Sequence, residues 1–251
     1  MDRITGLPAL FRLRGISLVV TMTLFAALLV ASPAASPVAH AATGACNRVA
    51  NAVVGAQSAS ELITVIASSS SSQTASVELF RRSGGCFRAV GGPYAAFVGR
   101  NGLSSHHVEG DGTTPMGLFN VGTTIFGISA NPGVHYRYHQ LICGDWWDED
   151  PRSPAYNRFV HEACGMAPPF AGNSEALWQN APAYDYFATI EYNTSPIVTG
   201  RGSGIFLHVA KGDPTTGCVS VAKVNLVKIL RLLLPSLHPM IDITTTAVLQ
   251  S

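Results

Sequence analysis

Along this chain, polar and apolar positions alternate with a period of two over many short stretches, which predicts a mainly β protein. Leu62-Ile63-Thr64-Val65-Ile66 reads as one strand, and Ala75 to Arg81 (A-S-V-E-L-F-R) alternates as the next. Between them, the five serines from Ser68 to Ser72 read equally well as a linker or as the tip of a long hairpin. Ser83-Gly84-Gly85 is turn chemistry and predicts a reversal into a strand from Cys86 to Val90. Tyr184 to Tyr192 and Gly204 to Ala210 read as two later strands. In the second, Ile205, Leu207 and Val209 face one way and Phe206, His208 and Ala210 the other. Helical spacing is clear once: Leu226, Val227, Leu230, Leu233 and Leu234 share a face between Ala222 and Leu234, and Pro235 ends it. His238 to Ile243 reads as a closing strand.

The first forty-one residues follow another pattern. Arg3, Arg12 and Arg14 precede an uncharged apolar run from Ile16 to Val30, and small residues and proline lead to Ala39-His40-Ala41. This is the layout of a signal peptide with an A-x-A cleavage site. The competing reading is a retained membrane anchor, for which fifteen apolar residues is short. Cleavage after Ala41 leaves thirteen basic and fourteen acidic side chains, so the formal charge passes from +1 to −1. With 12% charged residues and no basic stripe, the chain is not a nucleic-acid binder by this reading. Residues 42–251 are long enough for one domain.

The chemistry concentrates between Ile205 and Ser220 (I-F-L-H-V-A-K-G-D-P-T-T-G-C-V-S). A strand carries His208, Gly212-Asp213-Pro214 turns the chain, and Thr216-Gly217-Cys218 delivers a cysteine ten residues later. Such a pair can meet as base and nucleophile. His208 followed by Thr216-Gly217-Cys218 resembles the signature of the L,D-transpeptidase catalytic domain, the YkuD-type family. Thr114-Pro115-Met116-Gly117-Leu118-Phe119 resembles that family's T-P-x-G-x-F segment. Two ordered motifs about ninety residues apart are more specific than either alone. The chain departs from the pattern at Thr216, where the family usually has a second histidine, at Ser220, where arginine or asparagine is common, and in its short His-to-Cys loop.

The resemblance implies a YkuD-like, sandwich or barrel-like β domain over residues 42–251 with few helices, built from successive hairpins, and a loop-rich insertion at about 125–188. It implies a secreted cysteine acyltransferase acting on peptidoglycan stem peptides without metal or cofactor. Cys218 would attack the carbonyl of the third stem residue, expel the terminal D-alanine, and pass its acyl group to an amine, forming a 3→3 cross-link. His208 would serve as acid and base, with Gly217, Thr216 and Ser220 supporting substrate and oxyanion. A helix starting shortly after Cys218 would lend its positive end to a thiolate and lower the thiol pKa, but its main part is expected to be packing, with any electrostatic help secondary. Two other functions share the sequence features: an L,D-carboxypeptidase with water as acceptor, and a wall-binding module with a decayed site.

Five cysteines in an exported chain leave four for disulfides once Cys218 is assigned a working thiol. Of three connectivities, Cys46–Cys86 and Cys143–Cys164 are expected, since each closes a moderate loop within one region. His135, His139 and Cys143 recur every four residues, a metal-type spacing on a helix. Asn131-Pro132-Gly133 and the interleaved Tyr136 and Tyr138 argue for loop or strand there instead. Trp146-Trp147 with Asp148-Glu149-Asp150 reads equally as a groove rim able to hold an ammonium group or as an apolar anchor with an acidic loop. His106-His107 reads as an exposed loop pair.

Overall fold

Strand pairing explains most of this structure, a computed structural model that describes residues 44–170 and 174–248. The expected signal peptide, Met1 to Ala41, lies outside the described residues. A short helix α1 (Arg48–Ala52) leads into β1 (Glu61–Ala67), β2 (Thr74–Ser83) and β3 (Cys86–Phe97). Two-residue strands β4 (Leu103–Ser104) and β5 (Thr114–Pro115) precede β6 (Gly117–Gly127) and β7 (Arg137–Gln140). Next come β8 (Asp145–Asp148), β9 (Arg158–His161), β10 (Glu175–Ala176), β11 (Phe187–Ile190), β12 (Phe206–Val209) and β13 (Val219–Val221). Helix α2 (Lys223–Leu232) and β14 (Met240–Thr245) complete the order. The fold is mainly β, as the alternation predicts.

One mixed sheet runs β11-β12-β13-β3-β2-β1-β14-β6-β7, and β11 also pairs with β6. Eight strands therefore close on themselves, with β7 appended to β6. Closure gives each strand of the ring a neighbour on both sides, although β13 meets β3 only at Ala96 and Phe97. β1 sits between β2, antiparallel, and β14, parallel, and is buried along almost its whole length. A strand covered on both faces needs apolar residues in succession, which is why Leu62-Ile63-Thr64-Val65-Ile66 is less strictly alternating than β2.

Each face of β1 and β2 meets a different layer. Ile63, Val65, Val77 and Leu79 pack with Leu226, Ile229, Leu230 and Leu233 from the apolar side of α2. Leu62 and Phe80 face the other way, with Phe87, under Ala50 of α1. Burying one such side chain contributes about 1.5–3 kcal/mol, so this double layer dominates stability. The C-terminal end of α2 is fastened to the sheet by a buried ion pair, Arg81 to Glu61 at 2.5 Å. Arg81 also donates to the Leu232 carbonyl (2.6 Å), and Glu61 accepts from the Leu234 amide (2.8 Å). The pair thus satisfies helix-end groups that would otherwise be orphaned.

Several expectations sharpen here. The serine run is a hairpin tip between β1 and β2, not a linker. Only Phe187–Ile190 of the expected Tyr184–Tyr192 strand is extended in a ladder, because Ala183–Asp185 forms a 3₁₀ turn after Pro182. The expected loop-rich insertion overlaps β6 and β7 and holds a three-stranded sheet, β10-β8-β9. Both expected disulfides are present, Cys46–Cys86 and Cys143–Cys164. Among the described residues no helix is long and apolar enough to cross a membrane.

Candidate active site

β12 and β13 run parallel, with Leu207 beside Val219, His208 beside Ser220 and Val209 beside Val221. Period-two alternation sends Leu207, Val209, Val219 and Val221 into the aliphatic core under α2. It sends Phe206, His208 and Ser220 to the opposite face. Cys218, two residues before Ser220, joins an aromatic cluster on that second face, with Phe206, Trp147, Tyr184 and Phe187. One pair of strands thereby separates apolar packing from candidate chemistry.

The thiol is fixed by backbone. The Phe206 amide donates to Cys218 Sγ (3.3 Å), and the Sγ–H donates to the Gly204 carbonyl (3.2 Å). Gly204 is itself placed by Asn157, whose Oδ1 accepts from the Gly204 amide (3.1 Å) and from Trp147 Nε1 (3.0 Å). The loop before the cysteine is held as firmly: Thr215 Oγ1 and Thr114 Oγ1 both donate to the Cys218 carbonyl, at 2.6 and 3.2 Å. Thr114 opens the second motif, so that segment supports the nucleophile loop from beneath. Gly217 adopts φ +155° against the Thr113 carbonyl, where a Cβ would be crowded at 3.2 Å.

His208 is 8% exposed, and its Nδ1–H donates to the Val209 carbonyl (2.9 Å). This fixes the tautomer and leaves Nε2 as the acceptor nitrogen. Burial pushes the imidazole down to about 4, against the favourable Val209 bond and with Lys211 adding to the fall. Cys218 is 7% exposed, and burial raises its thiol well above the ordinary range, with Glu175 adding to the rise and the Phe206 amide opposing it. Neutral thiol and neutral imidazole are thus the resting forms. Helix α2 serves packing, as expected, and gives the thiol no net lowering: β13 intervenes, α2 begins only at Lys223, and desolvation dominates.

Both groups line one cavity of about 680 Å³. Gly217, Thr216 and Ser220 line it too, so all five expected site residues come together. Their roles differ from expectation in one respect. The Gly217 amide is committed to Thr215 Oγ1 (3.1 Å), so it is not free to hold an oxyanion as expected. Thr216 is exposed, whereas Ser220 is 1% exposed and its Oγ has no hydrogen-bond partner.

Other lining residues carry little sequence signal. Glu109, Glu149 and Glu175 all reach the cavity. Glu109 accepts from the hydroxyls of Tyr156 and Ser203, and Glu175 from that of Tyr184, whose ring lies edge-on to His208. Burial, then mutual repulsion, raises Glu149; burial also raises Glu175, against the Tyr184 bond. The acidic run after the tryptophans therefore divides by residue. Glu149 faces the cavity, Asp148 and Asp150 order the following turn, and Trp147 is a buried anchor.

His107 corrects the expectation of an exposed pair. His106 is exposed, but His107 is 4% exposed and lines the cavity. Its neighbours come from distant sequence, which the local pattern could not reveal; the sole local signal is the spacing His107-x-x-x-Asp111-x-Thr113. His139 takes no part: its Nε2–H donates to the Asp145 carboxylate (2.8 Å), and Cys143 is spent in its disulfide.

Searches against family models, curated proteins and solved structures found no match. Fold and site by themselves define a mainly β protein with a buried cysteine–histidine pair in a polar cavity.

Proposed function

We propose that the protein is an exported cysteine acyltransferase of the L,D-transpeptidase kind, acting on peptidoglycan stem peptides. The observation that carries this reading is that Cys218 and His208, on adjoining backbone of β12 and the β13 loop, share one cavity with His208 Nδ1 held by Val209. Two disulfides are compatible with an oxidising compartment outside the cytoplasm.

The resting state sets the mechanism. A thiol raised by burial does not ionise in advance, so its proton leaves as sulfur approaches the carbonyl, taken by Nε2 of His208. The sulfur–carbon bond forms, charge collects on the carbonyl oxygen, and the Cys218 amide donates to it. Collapse breaks the amide bond to the leaving D-alanine, whose nitrogen takes the proton back from His208. The resulting thioester is then attacked by an amine from a neighbouring stem.

Intact-mass measurement after incubation with stem tetrapeptide tests this reading. The expected product is an acyl adduct on Cys218 accompanied by release of D-alanine. Addition of an amine acceptor should convert it to dimer; release of free tripeptide alone would mean that water is the acceptor. An unmodified protein under these conditions would sink the assignment.

A further inference from the structure

The mechanism above uses one of two buried imidazoles in the cavity. His107 Nδ1 lies 3.0 Å from Asp111 Oδ1 and 3.0 Å from Thr113 Oγ1. Thr113 in turn donates its hydroxyl to Asp111 Oδ1 (2.7 Å), and the amides of Thr113 and Val108 donate to the same carboxylate (2.8 and 3.0 Å). A carboxylate so surrounded keeps its charge. Burial alone would raise Asp111, but those donors together with His107 hold it below its ordinary value. Nδ1 is therefore the protonated nitrogen, and Nε2 is the acceptor, as it is in His208.

The ring is held in place by two glycines and a tyrosine. A Cβ at Gly202 would meet Nε2 at 2.4 Å, and one at Gly217 would meet Cε1 at 3.7 Å. Tyr192 packs edge-on at 5.3 Å, and its hydroxyl sits between the carbonyls of Arg201 (2.6 Å) and His107 (3.1 Å). His107 thus lies beside the residue immediately before the nucleophile, from a different segment than His208. Their partners differ as well. His208 rests on a neutral carbonyl, while His107 rests on a carboxylate that stabilises an imidazolium. Burial lowers His107, but Asp111 and then Glu109 oppose the fall.

We propose that His107, oriented by Asp111, is a second acid–base group of this cavity, serving the amine that resolves the Cys218 thioester. This rests on the acyl-transfer reading and divides its two halves. In acylation His208 handles the thiol proton. In transfer, the acceptor nitrogen bonds to the thioester carbon while its proton passes to His107 Nε2. The carbon–sulfur bond breaks, the departing sulfur recovers that proton, and both imidazoles end neutral. The acceptor class is a primary amine, which must lose a proton as it attacks.

Rapid-quench mass spectrometry separates the halves, using stem tetrapeptide as donor and a stem-peptide amine as acceptor. The informative variant is His107→Asn, because its Nδ2 can replace the Nδ1–H donor to Asp111 and Thr113 while Nε2 is removed. Transfer should slow by ~10²-fold and the acyl-enzyme should accumulate, with acylation affected far less. Asp111→Asn should give the same imbalance, smaller, by weakening the imidazolium's partner. Transfer at the wild-type rate in His107→Asn would overturn the proposal, as would equal slowing of both halves, the mark of a purely structural role. Wild-type protein that never acylates would instead overturn the acyl-transfer reading itself, and this inference with it.

Discussion

The two faces of β12 and β13 are made of the same backbone and hold opposite kinds of residue. On one, Leu207, Val209, Val219 and Val221 meet α2 in a dry aliphatic layer. On the other, Cys218, His208 and Ser220 line a cavity walled by carboxyl groups. Alternation in a strand lets stability and reactivity be set independently at neighbouring positions. It also makes the chemical face dependent on the packed one, since a one-residue slip would exchange them.

The sharpest way to test that separation is Cys218→Ala. It should abolish the acyl-enzyme completely while thermal unfolding stays close to wild type, because only one sulfur is lost from the aromatic cluster. A folded variant that still forms cross-linked dimers would rule out the mechanism. Next in size is His208→Gln, expected to slow acylation by ~10²–10⁴-fold near neutral pH, with partial recovery in alkali as the thiol ionises unaided. Rate–pH profiles that superimpose on wild type would remove His208 from the chemistry.

His208 also makes a stability prediction. Its folded pKa is depressed to about 4, below the ordinary 6.5. The unfolded chain therefore takes up this proton first as pH falls. The contribution is complete above about pH 6.5 and lost progressively down to about pH 4, amounting to roughly 3 kcal/mol. Denaturant midpoints of wild type and His208→Gln should accordingly converge with acidification through that window. A constant gap would show that the histidine does not titrate with folding.

On the packed face, Leu207→Ala should cost about 2–5 kcal/mol in denaturant unfolding, yet leave acylation per folded molecule unchanged. Loss of acylation in protein that remains folded would mean the faces are coupled after all. The smallest effect is expected for Ser220→Ala. Its Oγ is buried without a partner, so removal should leave stability equal or raise it by about 1 kcal/mol in the empty protein. If substrate supplies the missing partner, KM for the donor rises a few-fold in the same variant. A clear drop in stability would show that the hydroxyl is already satisfied.

Legibility in the sequence follows the range of the forces involved. The strands β1 and β2 and the helical face of α2 depend on local alternation and are readable within a few residues, whereas the serines between the strands read equally as linker or hairpin tip. The pairing of Cys218 with His208 is readable because one turn separates them. His107 is not, since its burial comes from Tyr192, Gly202 and Gly217, far along the chain. Glu175 could not be placed either, because a two-residue strand in a small sheet brings it to the cavity. The state of the thiol is not legible for a related reason. Proximity to a helix is visible in sequence, but the desolvation that outweighs it is a property of the assembled cluster.

The closure of β11 onto β6 has a consequence beyond support for the site. An open sheet of this size would offer two long rows of unpaired backbone to other chains. Here the nine-stranded sheet ends in β7, four residues long and rich in polar side chains (Arg137, His139, Gln140). Strand exchange between copies is left with β7 and with the part of β3 before Ala96 that β13 does not reach. Closure thereby narrows the routes by which copies could polymerise through the ladder.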